Sequence, residues 1–262
     1  MDPALTSARE LVLLVHSGGF SSRQWRRLIE LLEPTHRVLA PDLLGYGASG
    51  PWPAGEPFHF RQDLALLHTL LAGEAGPVHL VGHSYGGLLA LHLALARPAV
   101  RSLALFEPVA FGILDEPSDA GARRVLDQLE LRYAPGPDGA DETWLEQFVD
   151  WWNGPGAWAG LAAETRAGFC AVGWKLFQEV ASLTADTTDR AGYAAITAPA
   201  LLLAGERTTL PERRVIDKLT AALPHATSRV FPDMGHMGPI THAALVNAAI
   251  ADHIRACTPS PR

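Results

Sequence analysis

The sequence predicts an α/β fold: a doubly wound, mostly parallel sheet of about six strands with an inserted helical cap. Three observations carry that reading. Six short runs are apolar or β-branched nearly throughout, as suits strands buried on both faces. Helical patterns lie between them, and strand–helix alternation builds a sheet covered on both sides. Most of the runs stop at glycine or proline, where a chain leaves a sheet.

The first run is Leu11–Val15 (LVLLV), which stops at His16-Ser17-Gly18-Gly19. A helix follows over Arg23–Leu32, with Trp25, Leu28, Ile29 and Leu32 at the i, i+3, i+4, i+7 spacing of one helix face. Arg37–Leu43 (RVLAPDL) is the second strand and ends at Gly45-Tyr46-Gly47; Arg61–Leu71 is the next helix. Val78–Val81 (VHLV) ends at Gly82 and leads into a helix over Leu88–Ala96. Arg101–Phe106 (RSLALF) ends at Glu107-Pro108. Ala200–Ala204 (ALLLA) ends at Gly205 and precedes a helix over Arg213–Leu223. Thr227–Phe231 (TSRVF) precedes Pro232, and a helix over Ala243–Ile254 closes the chain.

The alternation breaks between about Phe111 and Ala195, where no strand-like run occurs. This stretch holds Trp144, Trp151, Trp152, Trp158 and Trp174, five of the seven tryptophans, in helix-compatible patterns such as Trp144-Leu145-Phe148-Val149-Trp152. Both flanks continue the same sheet pattern. The expected organisation is therefore a core of residues 1–110 and 196–262 with a helical cap, 111–195, inserted between two strands. An all-helical interaction domain is the alternative.

Apolar residues make up 48% of the 262, enough for a sizeable core. The net charge of −7 argues against nucleic acid or an anionic membrane as partner. Cys170 and Cys257 offer neither a disulfide framework nor metal-ligand spacing. No H-E-x-x-H is present, and the glycines at Gly45-Tyr46-Gly47 follow the strand as a turn rather than a phosphate loop, so no metal and no cofactor are expected. The start, MDPALTSARE, lacks the basic and apolar regions of a signal peptide, and Leu11–Val15 is too short to span a bilayer. A cytoplasmic location is the expectation.

The chemistry concentrates at Val78-His79-Leu80-Val81-Gly82-His83-Ser84-Tyr85-Gly86-Gly87: a strand, then G-x-S-x-G, then a helix. This is the pattern of a nucleophile elbow, whose tight turn lifts the Ser84 hydroxyl to a helix N-terminus, where free amides favour developing negative charge. Small residues are needed two positions either side of the serine, and Gly82 and Gly86 stand there.

Three segments together resemble the α/β-hydrolase superfamily over nearly the whole length. They are His16-Ser17-Gly18-Gly19-Phe20-Ser21-Ser22-Arg23-Gln24-Trp25, Ala40-Pro41-Asp42-Leu43-Leu44-Gly45-Tyr46-Gly47-Ala48-Ser49, and the Gly82–Gly86 elbow. Ser17 stands where that family usually has glycine. The chain also begins almost directly at the family's third strand, so the resemblance implies six strands rather than eight.

The resemblance places the general base after the last strand, in Pro232-Asp233-Met234-Gly235-His236-Met237-Gly238. Of eleven histidines, only His236 follows that strand in a glycine-flanked loop. His83 lies inside the elbow with its side chain expected to point away from the reaction side, His16 belongs to the oxyanion loop, and His242 is expected on a helix surface. The elbow geometry makes the Tyr85 amide one oxyanion donor; the resemblance makes Gly18 the other, with Gly19 the neighbouring choice.

The histidine needs a carboxylate to fix its tautomer and stabilise the imidazolium. The resemblance would place it after Ala200–Ala204, but the matching position is Thr208. Some relatives, certain dehalogenases among them, carry the acid one strand earlier; here that position is Glu107, a C-terminal strand end where such folds gather their sites. Glu206 and Asp233 are the alternatives. Trp151, Trp152 and Met237 are the candidate pocket residues, although adjacent helical residues point about 100° apart, so the two tryptophans are not both expected to face the pocket.

The expected partner is an apolar, ester-like small molecule. The leading function is hydrolysis of a carboxylic ester or lactone through an acyl-enzyme on a Ser-His-Glu triad. Carbon–carbon or amide hydrolysis and perhydrolase chemistry are the alternatives within the same fold, and a ligand-binding receptor without turnover is the alternative outside catalysis.

Overall fold

Side chains alternate across a strand, and β1 (Leu11–Val15) shows what that does here. Leu11, Leu13 and Val15 join one apolar cluster, while Val12 and Leu14 join a second on the opposite face. The computed structural model describes residues 9–97, 99–127 and 141–259, so residues 1–8 and residues 128–140 of the expected insertion lie outside the described residues. Within it six parallel strands form one sheet in the order β2-β1-β3-β4-β5-β6.

After β1 come a 3₁₀ turn at Ser22–Trp25 and α1 (Arg26–Leu32). The edge strand β2 covers only Arg37–Leu39, four residues short of the expected Leu43. Pro41 has no N–H for the ladder, and Asp42 instead accepts from the Ser22 amide at 2.7 Å. The helix α2 (Phe60–Leu70) leads to β3 (Val78–His83), which is two residues longer than the expected strand. The elbow helix α3 (Tyr85–Ala96) begins directly after Ser84 and is buried along most of its length. Then comes β4 (Val100–Phe106).

Five described helices lie between β4 and the next strand: α4 (Ala120–Leu126), α5 (Glu142–Asn153), α6 (Ala157–Gly160), α7 (Ala163–Thr184) and α8 (Arg190–Tyr193). The sheet resumes with β5 (Ala200–Gly205), α9 (Leu210–Ala222) and β6 (Ala226–Phe231). The short α10 (Gly238–Thr241) and the final α11 (Ala243–Cys257) complete the chain. Among the described residues no helix is long and apolar enough to cross a membrane. One face of the sheet packs on α2, α3 and α9, the other on α1 and α11.

This topology positions the site. From β1 the chain moves outward to β2 and then crosses back to β3 on the other side of β1. The crevice between the C-terminal ends of β1 and β3 is therefore the switch point where open α/β sheets bind ligands. The registers Val15↔Gly82 and His83↔Phe106 bring the His16 loop, Ser84 and Glu107 to one sheet edge.

Candidate active site

Ser84 has φ 54° and ψ −118°, in left-handed space that costs a non-glycine residue about 1–3 kcal/mol. The Ser84 amide donates to the Phe106 carbonyl at 2.9 Å, which ties the turn to β4. Close approach explains the flanking glycines. A Cβ on Gly82 would sit 2.4 Å from the Gly86 carbonyl oxygen, and one on Gly86 would sit 2.2 Å from that of Val15. Both obstacles are backbone and cannot swing aside.

His236 reaches this turn from the loop after β6. That loop lies flat on Gly205, where a Cβ would meet the Met234 carbonyl oxygen at 2.1 Å. His236 Nε2 is 2.9 Å from Ser84 Oγ, and its Nδ1 is 2.7 Å from Glu107 Oε2. Since a carboxylate only accepts, Nδ1 carries the proton and Nε2 accepts from the Ser84 hydroxyl.

Glu107 is fully buried and also takes a left-handed backbone, φ 44°. Its Oε1 accepts from the Gly205 amide at 2.8 Å, and its Oε2 accepts from Thr208 Oγ1 at 2.8 Å. Thr208, at the position where the resemblance would put the acid, thus donates to Glu107, the carboxyl group at the end of the neighbouring strand. The two alternatives point elsewhere. Asp233 is exposed and paired with Arg207, and Glu206, also exposed, accepts from the Asp233 amide at 3.2 Å.

Two further histidines build the frame. His83 is absent from the cavity wall, but it is more than a residue turned aside. Its Nε2 donates to the His236 carbonyl at 2.9 Å and its ring tilts against the His236 ring at 5.1 Å. Burial holds its basicity well below the usual imidazole value, so it stays neutral. His16 accepts from the Leu43 amide at Nε2, 3.0 Å, and donates from Nδ1 to the Ser17 carbonyl, 2.8 Å; burial lowers its pKa to about 4. His242 is exposed.

The amides of Gly18 and Tyr85 have no acceptor among the described residues, and both residues line the cavity above Ser84. By contrast, the Ser17 amide is tied to Gln24 Oε1 at 3.2 Å, and the Gly19 amide is directed at the Tyr46 hydroxyl.

The cavity has a volume of about 310 Å³, near the lower end for small-molecule sites. Its wall is mainly apolar and aromatic, with Phe111, Phe148, Phe169 and Val180 prominent. Trp152 stacks on the His236 ring with centroids 3.8 Å apart, and Met237 lines the wall beside it. Trp151 is a correction: it does not reach the cavity, because successive residues of α5 diverge by about 100°. It packs edge-on against Trp152 instead, at 4.4 Å.

Sequence reasoning missed Glu179, the one carboxylate on the wall among the described residues. It belongs to a buried polar network. Lys175 Nζ donates to Glu179 Oε2 at 2.5 Å and to Asp63 Oδ2 at 2.9 Å; the Tyr46 hydroxyl donates to Glu179 Oε2 at 2.9 Å and the Tyr85 hydroxyl to Asp63 Oδ2 at 2.8 Å. The available signal was Lys175 and Glu179 at i, i+4, the one pair of opposite charges in the otherwise uncharged second half of α7.

A serine at a strained strand-to-helix turn, reached by a loop histidine at the switch point of a parallel sheet, places the molecule among α/β-type hydrolases. Residues 12–249 match the Alpha/beta hydrolase family, and the chain belongs to that family. It is 32% identical to the putative carbamate hydrolase RutD of Variovorax paradoxus over 258 residues, 94% of this chain and 91% of that protein. A 44% identical match to Lipase LipV of Mycobacterium tuberculosis extends over 99 residues, 37% of this chain and 36% of that protein. The fold is similar to that of a thermophilic esterase from Thermogutta terrifontis, with a TM-score of 0.64 at 23% identity over 95% of this chain and 91% of that one.

Proposed function

We propose that the protein hydrolyses a carboxylic ester or lactone of an apolar acid through an acyl-enzyme on Ser84. The observation that carries this reading is the unbroken hydrogen-bond line from Ser84 Oγ through His236 to Glu107 at the foot of an apolar cavity. In it, His236 Nε2 takes the Ser84 proton as Oγ attacks the acyl carbon. Glu107, held by Gly205 and Thr208, stabilises the imidazolium that forms. The negative charge on the carbonyl oxygen falls to the Gly18 and Tyr85 amides, which hold no other acceptor. His236 then protonates the leaving alcohol, and water, activated by the same imidazole, releases the acid.

The helical segment 111–195 serves as a cap in this reading. Its α5 supplies Trp152 as a lid on His236, and its α7 supplies the far wall. The nearly charge-free lining favours medium-length or aromatic acyl groups over dianionic ones. The full-length likeness to a protein named for carbamate hydrolysis adds carbamates to the substrates to test, since they present the same carbonyl chemistry.

The test is a fluorophosphonate probe with mass-spectrometric site mapping, together with a panel of p-nitrophenyl esters, lactones and carbamates. Stoichiometric labelling at Ser84, lost in Ser84→Ala, and a fall in turnover of up to about 10⁶-fold are expected. Turnover retained in Ser84→Ala, or a clear preference for dianionic substrates, would overturn the reading.

A further inference from the structure

Glu179 is 1% exposed, yet it faces the cavity. Its Oε1 lies 2.0 Å from where a Cβ on Gly18 would stand, so any side chain at 18 would strike the carboxyl group. The two oxygens have different surroundings. Oε2 accepts from Lys175 Nζ and from the Tyr46 hydroxyl. Oε1 has no hydrogen-bond partner among the described residues. A proton on this carboxyl group therefore sits on Oε1, because Oε2 is already an acceptor twice.

The charges around it decide whether the proton is present. Lys175, on the same helix, is matched by Asp63 from α2, whose oxygens also accept from the Leu44 amide and the Tyr85 hydroxyl. Tyr46 arrives from the loop after β2, Tyr85 from the start of α3, and His16, neutral, packs edge-on against Tyr46. One cation thus serves two buried acids, and ionising Glu179 would leave an uncompensated negative charge away from water. Burial, opposed by Lys175 and aided by Asp63, pushes its pKa up to about 7.

We propose that Glu179 in its acid form is a third hydrogen-bond donor to the acyl oxygen held at Gly18, and that its ionisation withdraws this donor and sets a negative charge beside the developing oxyanion. This rests on the Ser84 acyl-transfer reading. An Oε1–H donor beside Gly18 complements the two backbone amides, whereas a carboxylate there opposes the charge they gather. Glu179 thereby sets an upper pH limit that a serine–histidine pair does not itself impose, since His236 must be unprotonated to act as base.

Glu179→Gln is the diagnostic variant. Its amide oxygen can accept from Lys175 and Tyr46 while its N–H₂ donates permanently into the cavity. The experiment follows the second-order rate of Ser84 labelling by a fluorophosphonate between about pH 5.5 and pH 9, a reaction that also builds charge on an oxygen in the oxyanion hole. Wild type should slow about tenfold or more from about pH 6.5 to pH 9, and Glu179→Gln should keep its rate to the alkaline end. In parallel, one component of the protonated-carboxyl infrared band should fade in wild type over the same range and be missing in the variant, while the component from the buried Glu212 is common to both. A wild-type rate that holds or rises to pH 9, an alkaline fall that persists in Glu179→Gln, or a folded but unreactive Glu179→Gln each overturns the proposal while Ser84 labelling upholds the acyl-transfer reading. Absence of labelling at every pH overturns both. If Glu179→Gln does not fold, the wild-type rate profile and carboxyl band decide.

Discussion

Glu107 accepts three hydrogen bonds, from the Gly205 amide, Thr208 Oγ1 and His236 Nδ1, with no exposure to solvent. Those three donors fix the orientation of the carboxylate. Changing Glu107 to Gln retains the shape but leaves one amide oxygen for three donors, so either His236 and Thr208 or the Gly205 amide faces an N–H₂, and any acceptor left to His236 is uncharged. Turnover of a p-nitrophenyl ester should fall by up to about 10⁴-fold while the circular-dichroism spectrum stays native. Near-wild-type turnover, with Asp233→Asn or Glu206→Gln dead instead, would move the acid elsewhere. That Ser84, His236 and Glu107 come together was legible in the chain because each follows the end of a strand, and strand ends show as the stop of an apolar run. Glu179 was not legible. Its partner Tyr46 and Asp63, which shares Lys175 with it, lie more than a hundred residues earlier, and only the packing of α7 over the sheet edge unites them.

At the level of elements, the sheet was readable because a strand buried on both faces needs an unbroken apolar run. The main strand misjudged, β2, is the edge strand in which proline cuts the ladder after Leu39. The helices between β4 and β5 were readable as helices but not in orientation. Periodicity shows which residues share a face, not which face meets the site. Trp151 and Trp152 illustrate this: both are half-buried on α5, and only Trp152 reaches His236. A ring stacked on the imidazole excludes water and restricts its tilt. Trp152→Ala should therefore lower kcat/KM for an aryl ester about tenfold, the order expected for one aromatic pair. Trp151→Ala should cost markedly less, since Trp151 packs on Trp152 and does not line the cavity. Equal losses in steady-state kinetics would mean that the α5 face is not the one turned to the substrate.

Over the whole molecule, buried titratable groups set two opposed dependences of stability on pH. His16 and His79 have pKa values lowered by burial to about 4, and burial holds His83 well below the usual value. The unfolded chain binds these protons near pH 6.5 and the folded one does not, so their contribution is complete above that value and is lost as pH falls towards 4. Glu212 acts in the other sense. In the first turn of α9 it is fully buried, both its oxygens lack partners, and burial together with Glu107 raises its pKa well above the usual glutamate value. The folded state keeps a proton that the unfolded state releases, so above the ordinary glutamate pKa each pH unit removes about 1.4 kcal/mol until the folded-state value is reached. Glu212→Met has similar length, needs no proton and leaves no polar atom without a partner. Its melting temperature should exceed that of wild type by several degrees at about pH 8, and by less at about pH 5, where the wild-type carboxyl group holds its proton at little cost. The pH of maximum stability should move upward, because the histidine-driven loss on the acid side is unchanged. A gain of the same size at both pH values in thermal melts would show that Glu212 does not exchange its proton on unfolding.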